Sequence, residues 1–286
     1  MVFQSVNLEA GLYLVATPIG TVRDITLRAL DILASADVLA AEDTRTLRRL
    51  MDLHGVPLGE RPLVSYHDHS PAKARARLMD EVRDGRSVAY ASEAGTPLVA
   101  DPGYRLAAEM RSEGLEVRAA PGPSALLAAL SVAGLPTDRF CFLGFPPSQS
   151  SARRQLFQSL KNERSTLVFF EAPGRVHGTL DELCYALGEE REAAVCRELT
   201  KRFEEVRRGR LVDLAQEAKA RPPKGEVVLV VHRGTPREAS EGDIDAALRA
   251  ALSRGTVRDA AAEVAEIYGI SRRQAYQRAL EMERDG

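Results

Sequence analysis

The chain has 286 residues, with 39 Lys and Arg against 41 Asp and Glu and a net charge of −2. Hydrophobic residues make up 44 % and charged residues 28 %, which excludes a disordered or collagen-like chain and leaves room for two medium domains plus an appendage. The near-neutral balance excludes a uniformly basic surface, so any contact with nucleic acid must come from local patches.

Short apolar runs alternate with helical patterns. Residues 12–16 read as a buried strand, and Thr26 caps a helix whose Leu27, Leu30, Ile32 and Leu33 are apolar. A run at 38–41 leads to Asp43 as the cap of a helix reaching residue 53. Strands are expected at 63–67, 87–91 and 115–119, with helices at 71–83, opened by Pro71, and 104–112. This alternation predicts an α/β domain with a largely parallel sheet. A second α/β unit follows, with helices at 124–132, 152–162, 176–187 and 212–220. Its strands are expected at 140–144, 167–170, 193–196 and 227–231. The expected units are 1–118 and 119–234. A polar linker at 233–242 precedes a helical tail at 240–286. Its amphipathic helices at 244–252, 257–268 and 272–282, with a tight turn at 269–271, form a helix-turn-helix pattern.

Cys141, Cys184 and Cys196 are widely spaced and form no CxxC pair or disulfide framework, so a cytoplasmic setting is expected. Residues 1–11 show no basic segment leading into an apolar run, and no apolar stretch reaches membrane-spanning length. Common nucleotide fingerprints are missing. No two glycines lie two residues apart, which removes GxGxxG, and no Gly-Lys pair offers a phosphate loop. His67-Asp68-His69 would point two rings one way from a strand, but no third ligand cluster accompanies it and no metal is expected.

Four Gly- and Pro-bearing segments each follow an expected strand and precede a helix: 17–20, 92–103, 121–125 and 170–175. Strand ends of this kind line the ligand crevice of an open α/β sheet. Small residues let the backbone approach a ligand, and a helix opening near Ser124 would aim free N–H groups at an anion. Single loops of this type usually only turn the chain. Four at equivalent ends favour a shared site.

The motifs TPIG…DIT, EDTR at 42–45, AGTP…DPG, PGPSALLAAL, FFEAPGR, RELTK at 197–201 and KGE at 224–226 occur in this order. The set resembles the ribosomal RNA small subunit methyltransferase I family, of the tetrapyrrole-methylase (class III methyltransferase) type, over residues 11–234 and the helical tail. The resemblance implies two α/β domains holding S-adenosylmethionine in the cleft between them, and a homodimer in the cytoplasm. It also implies methylation of a cytidine ribose 2′-hydroxyl in the decoding region of small-subunit ribosomal RNA. Naked RNA and the assembled subunit both stay open as substrate. By matching motif, the cofactor would touch Ile19, Gly20, Ala94, Gly95, Thr96, Pro97, Val99, Ser124, Ala125, Arg197 and Leu199. Three positions depart from the family pattern: Glu93 stands for Asp, Ala100 for Ser and Gly174 for His.

A sulfonium-activated methyl group needs no metal. A base would remove the hydroxyl proton, and Glu198 and Glu171, at strand ends, are the candidates. An ion pair with Arg197 or Lys201 is the structural alternative for Glu198, and acceptance of loop N–H groups is the alternative for Glu171. Arg23, Arg45, Arg175, Lys201 and Arg202 are the candidate RNA contacts. Arg153, Arg154 and Lys161, then Arg207, Arg208 and Arg210, and Arg272, Arg273 and Arg278 in the tail are further basic groups that would give salt-dependent, sequence-blind affinity. Two other readings remain: methylation of a tetrapyrrole or corrin precursor on the same scaffold, and a DNA-binding regulator built on the tail.

Overall fold

Five strands whose side chains are almost wholly apolar pair in parallel to make the first sheet. They are β1 (Gly11–Val15), β2 (Val38–Ala41), β3 (Leu63–Ser65), β4 (Ser87–Ala91) and β5 (Val117–Ala120), in the order β3-β2-β4-β1-β5. The computed structural model describes residues 3–67, 70–100, 103–234, 241–268 and 270–284. Helices cover both faces, as continuous apolar parallel strands require. α1 (Leu27–Ser35) and α2 (Thr44–Leu53) bury Leu30, Leu33, Leu47 and Met51 on one face. α3 (Ala72–Arg83) and α4 (Tyr104–Ser112) bury Leu78, Met79, Leu106 and Met110 on the other. Thr26 caps α1 by accepting from the Ala29 amide, and Asp43 caps α2 by accepting from that of Arg45. The chain leaves β1 toward the α1 face and β4 toward the α4 face, so these neighbouring strands mark the switch point where a crevice opens.

The second sheet is mixed. β6 (Phe140–Phe142) pairs in parallel with β7 (Thr166–Glu171). β10 (Val227–Val231) lies antiparallel between β7 and β8 (Glu192–Arg197), and β9 (Glu205–Arg210) closes the edge against β8. α6 (Ser150–Ser159), α7 (Val176–Leu187) and α8 (Leu211–Ala220) pack one face through Phe157, Leu180, Leu183, Leu211 and Leu214. The other face is covered by α5 (Ala125–Val132), whose Leu126, Ala129 and Leu130 meet Val168, Cys196, Val228 and Val230. Burial in this core pushes the Cys196 thiol up to about 12. All three cysteines are free.

β5 hydrogen-bonds to β1 through Ala120, so the division expected between residues 118 and 119 falls inside a strand of the first sheet. The chain crosses to the second sheet just afterwards, through 121–124. β9 lies in a segment for which no strand is expected from sequence, only the basic groups Arg207, Arg208 and Arg210. α9 (Glu241–Leu252), α10 (Val257–Tyr268) and α11 (Arg272–Arg284) form a separate three-helix core around Leu248, Ala260, Val264 and Ala279. Most of the expected linker, 235–240, and Gly269 of the expected turn lie outside the described residues, as do Asp68, His69, Asp101 and Pro102.

Candidate active-site cleft

The loops after β1 and β4 are fastened backbone to backbone at the switch point. The Thr17 amide donates to Gly95 O at 2.9 Å, and the Gly95 amide returns the bond to Thr17 O at 3.0 Å. Thr17 Oγ1 donates to Ser92 O, and Ser92 Oγ donates to Gly95 O. Gly95 has φ +80°, and a Cβ there would lie 3.2 Å from Ile19 Cγ2, so both conformation and space call for glycine. Thr96 Oγ1 reaches Pro123 O at 2.9 Å and ties this loop to the turn before α5. Ser124 is the N-cap of α5 in extended conformation with no side-chain capping bond, so the amides of the first turn remain open at the cleft.

Together these loops form one wall of a cleft of about 570 Å³, within the range of small-molecule sites. The wall comprises Ile19, Glu42, Glu93, Ala94, Gly95, Thr96, Val99, Ala100, Ser124 and Ala125. The facing wall comes from the second sheet: Phe145, Phe170, Glu171, Ala172 and Pro173 from the β6 and β7 ends, and 225–228 at the start of β10. The two sheets also touch at the rear. Thr21 N donates to Thr200 Oγ1 at 3.1 Å, and Thr21 Oγ1 donates to Thr200 O. Non-glycine residues with left-handed φ are Leu98, Ala100, Glu198 and Thr200 among the described residues, and all stand in the two loops that flank this cleft. Strain of this kind concentrates at ligand sites.

Eight of the residues assigned to the site from sequence line the cleft: Ile19, Ala94, Gly95, Thr96, Val99, Ser124, Ala125 and Glu171. Gly20 lies behind it, where a Cβ would come within 2.5 Å of Lys201 Cγ. Pro97 and Leu199 are buried, and Arg197 turns away into an ion pair with Glu205 at 3.0 Å. Phe170 belongs to the expected crevice segment 170–175; Glu42, Phe145 and 225–228 line the cleft without having been expected to. EDTR and KGE are visible as motifs, but the walls they form depend on β2 lying beside β4 and on β10 inserting between β7 and β8.

Both carboxylates offered as bases are already engaged. Glu171 is 2 % exposed; Oε2 accepts from Thr179 Oγ1 at 2.5 Å, Oε1 accepts from the Ala172 amide at 2.8 Å, and Arg175 Nε lies 3.3 Å away. Glu198 Oε1 accepts from the Glu226 amide at 2.9 Å and from Lys201 Nζ at 3.0 Å. The Glu226 amide, then the Lys201 ammonium, hold its carboxyl below the ordinary value of 4.5. Burial opposes the charge on Lys201, but hydrogen bonds to Glu226 and Glu198 outweigh it and raise its pKa. The structural alternatives stated for Glu171 and Glu198 are the arrangements found. By contrast, the carboxylates of Glu42 and Glu93 have no hydrogen-bond or ion-pair partner among the described residues, although both residues line the cleft.

The basic residues separate in the same way. Arg175 donates to Pro146 O and Pro147 O, bracing the loop that carries Phe145. Arg207 pairs with Glu205, Arg208 with Glu192, and Arg210 with Glu190 and Asp213. Arg153 makes a bidentate pair with Glu182, and Arg154 lies 3.6 Å from the same carboxylate. Arg278 is held by Asp245. Arg45 pairs with Asp43 but is 90 % exposed. Arg23 and Arg202 are exposed, the latter over the Phe203 ring. Gly174 faces open space. Among the described residues no group of three or more His, Cys, Asp or Glu gathers to hold a metal, and no helix is long and apolar enough to cross a membrane.

Residues 11–215 match the family described as Tetrapyrrole (Corrin/Porphyrin) Methylases. The chain belongs to this family. In this methylase the tail matches a second description, RsmI C-terminal HTH domain, over residues 238–283. The methylase is 46 % identical to the Ribosomal RNA small subunit methyltransferase I of Mesorhizobium japonicum, over 96 % of this chain and 93 % of that protein. The uroporphyrin-III-C-methyltransferase of Thermus thermophilus is similar in structure, with TM-score 0.56 and 25 % identity over 78 % of this methylase and 94 % of that chain. A structure of the Thermus thermophilus uroporphyrin-III C-methyltransferase complexed with S-adenosylhomocysteine has TM-score 0.52 at 22 % identity, covering 78 % and 97 %.

Proposed function

We propose that this methylase transfers the methyl group of S-adenosylmethionine to small-subunit ribosomal RNA, at a cytidine ribose 2′-hydroxyl, in the cytoplasm. The observation that carries the reading is the cleft itself, built from small-residue loops of one sheet and apolar strand ends of the other, with an open helix N-terminus in its wall. Those features fit the donor. The α5 amides suit its carboxylate, and Ile19, Val99, Phe145 and Phe170 supply apolar walls. Ala94, Gly95, Thr96 and Ala125 allow close backbone approach. Its sulfonium supplies an activated methyl group.

The protein's part is placement and proton removal. Holding the ribose oxygen in line contributes up to about 7–11 kcal/mol in favourable cases, whereas a base contributes about 10²–10⁴ in rate. Glu171 and Glu198 act as positioning residues: the first fixes the turn after β7 through Thr179 and Ala172, the second fixes the start of β10 through Glu226. Glu42 and Glu93 carry the cleft carboxylates left free among the described residues, and one of them takes the proton. Arg23, Arg45 and Arg202, exposed beside the loops, meet RNA phosphates, while Arg175 and Lys201 brace the walls from which the RNA is held.

A tetrapyrrole precursor has less support as substrate. The ribosomal RNA methyltransferase relative matches over 96 % of the chain, tail included, whereas the uroporphyrin enzyme matches over 78 %. A homodimer is part of the proposal. α5 is apolar at every position but Ser131, and it leaves Leu127 and Val132 exposed at 53 % and 45 %. A helix of that composition ordinarily has a partner on every side.

The test is transfer of labelled methyl from S-adenosylmethionine to small-subunit RNA or assembled subunits, against uroporphyrinogen-like compounds, with nucleosides resolved by mass spectrometry. The expected product is 2′-O-methylcytidine. Label found only in the macrocycle, or on a base atom of RNA, overturns the reading.

A further inference from the structure

α2 turns Leu47, Leu50 and Met51 inward. Its outer face exposes Arg45, Arg48 and Arg49 at i, i+3 and i+4, which share one side of a helix. Arg45 pairs locally with Asp43. Arg48 and Arg49 have no ion-pair or hydrogen-bond partner among the described residues, and Asp52, one turn on from Arg48, faces the same hollow without bonding to it. Like charges at this spacing cost a helix about 0.2–0.5 kcal/mol per pair, so the fold gains nothing from the arrangement.

The placement of α2 gives the stripe a purpose. Its N-terminus follows Glu42, which lines the cleft. Its C-cap, His54, donates from Nε2 to Val22 O at 2.9 Å, next to Arg23, which is exposed and also unpartnered among the described residues. Both ends of α2 are therefore attached to cleft loops, and the stripe runs along the rim. A shallow hollow of about 420 Å³ lies beside it, lined by the three arginines with Thr44, Asp52 and Leu63. The arginines of β9, by contrast, are each matched to a carboxylate. The unspent positive charge at the cleft mouth therefore includes the α2 side.

We propose that Arg48 and Arg49 each grip one phosphate of the RNA strand that delivers its ribose to the cleft, with Arg23 extending the track. The inference rests on the RNA reading above. Guanidinium groups pair with phosphate oxygens bidentately. Arg48 and Arg49 are consecutive on one turn and splay by about 100° around the axis, so each can reach a different phosphate, while Arg45 stands one turn earlier, about 5.4 Å along the helix. The contact is sequence-blind; it fixes position and leaves selection to the cleft.

The experiment compares the full-length protein with the R48Q/R49Q double variant and with R77Q/R105Q. Arg77 and Arg105 are exposed on α3 and α4, which cover the opposite face of the first sheet, so this pair controls for lost charge alone. The probe is a labelled single-stranded cytidine-rich oligoribonucleotide, titrated by fluorescence anisotropy across a salt series. Calorimetry with S-adenosylmethionine checks that the fold and donor site persist. In the R48Q/R49Q protein the slope of log affinity against log salt is expected to shrink by about 1.4, two phosphates at about 0.7 each for a single strand. The control keeps the parent slope, and donor affinity is unchanged in both. An unchanged slope in R48Q/R49Q, or an equal loss in the control, overturns the placement while RNA methylation by the parent protein leaves the functional reading standing. A parent protein that neither binds nor methylates RNA overturns both.

Discussion

Ser124 shows how much one uncapped position can decide. Its side chain makes no capping bond, so the amides behind it face the cleft. Replacing it with Arg fills that space with a long cation. Ser124→Arg is expected to abolish S-adenosylmethionine binding by calorimetry while the far-ultraviolet circular dichroism stays that of the parent; retained affinity would remove the donor from this wall. Glu171 carries the opposite kind of information. It is a buried carboxylate with a bond to Thr179 Oγ1, and Thr179 is itself fully buried. Thr179→Val keeps the shape and deletes the donor. The expected loss is about 1–3 kcal/mol, read as a lower denaturation midpoint. No change would mean the carboxylate finds another partner. At this scale Gly95, Thr96 and Ser124 were legible because turn and cap chemistry is local. The engagement of Glu171 and Glu198 was legible only as an alternative, in the local bonds from Ala172 and Lys201; the bonds from Thr179 in α7 and from Glu226, leading into β10, were not. Gly225 illustrates the limit: its φ of +82° and the Glu198 carboxylate packed against it make sense only once the two loops are side by side.

Elements were legible where apolar periodicity is strong. β2, β4 and β10 are fully buried runs, and α4 and α7 begin and end where their patterns do. β9 failed that reading for a physical reason. Its sequence, EVRRGR, is charged, half of it faces solvent, and it is an edge strand held by β8 and by ion pairs. Charges on an edge also discourage pairing with a further strand. The order β7-β10-β8 was equally invisible, since periodicity says nothing of which strands become neighbours. One link between elements has a pH signature. Asp37, just before β2, accepts from the hydroxyl and the amide of Ser87 at the start of β4, at 2.6 and 2.8 Å. The Ser87 hydroxyl, then its amide, hold the Asp37 carboxyl below its ordinary 3.8. A depressed carboxyl contributes stability above the unfolded value and loses it as pH falls through the folded one. Asp37→Asn is therefore expected to lower the urea midpoint at neutral pH, with the gap from the parent closing as pH drops below 3.8. A gap constant with pH would assign the effect to geometry alone.

Across the whole molecule, the two sheets meet at few places and the site depends on each. α5 leaves the first sheet and covers the second, Ile19 reaches into the same core, and Thr21 bonds to Thr200 behind the cleft. Gly20 stands at a close approach, with room for no Cβ beside Thr200 and Lys201. Gly20→Val is expected to push the halves apart and weaken donor binding by about tenfold or more, about 1.4 kcal/mol, with both sheets intact. Parent affinity in that variant would show that the halves tolerate separation.

The reciprocal amide bonds between Thr17 and Gly95 carry a kinetic consequence. Because the floor of the cleft is stitched together by main chain rather than by anything it receives, its shape exists in advance. Little freedom remains to be surrendered when a small molecule lands there, so that half of the berth fills at a pace set by encounter. Any slow step in turnover then comes after that encounter: in the arrival of the much larger second substrate, in the transfer itself or in the departure of products.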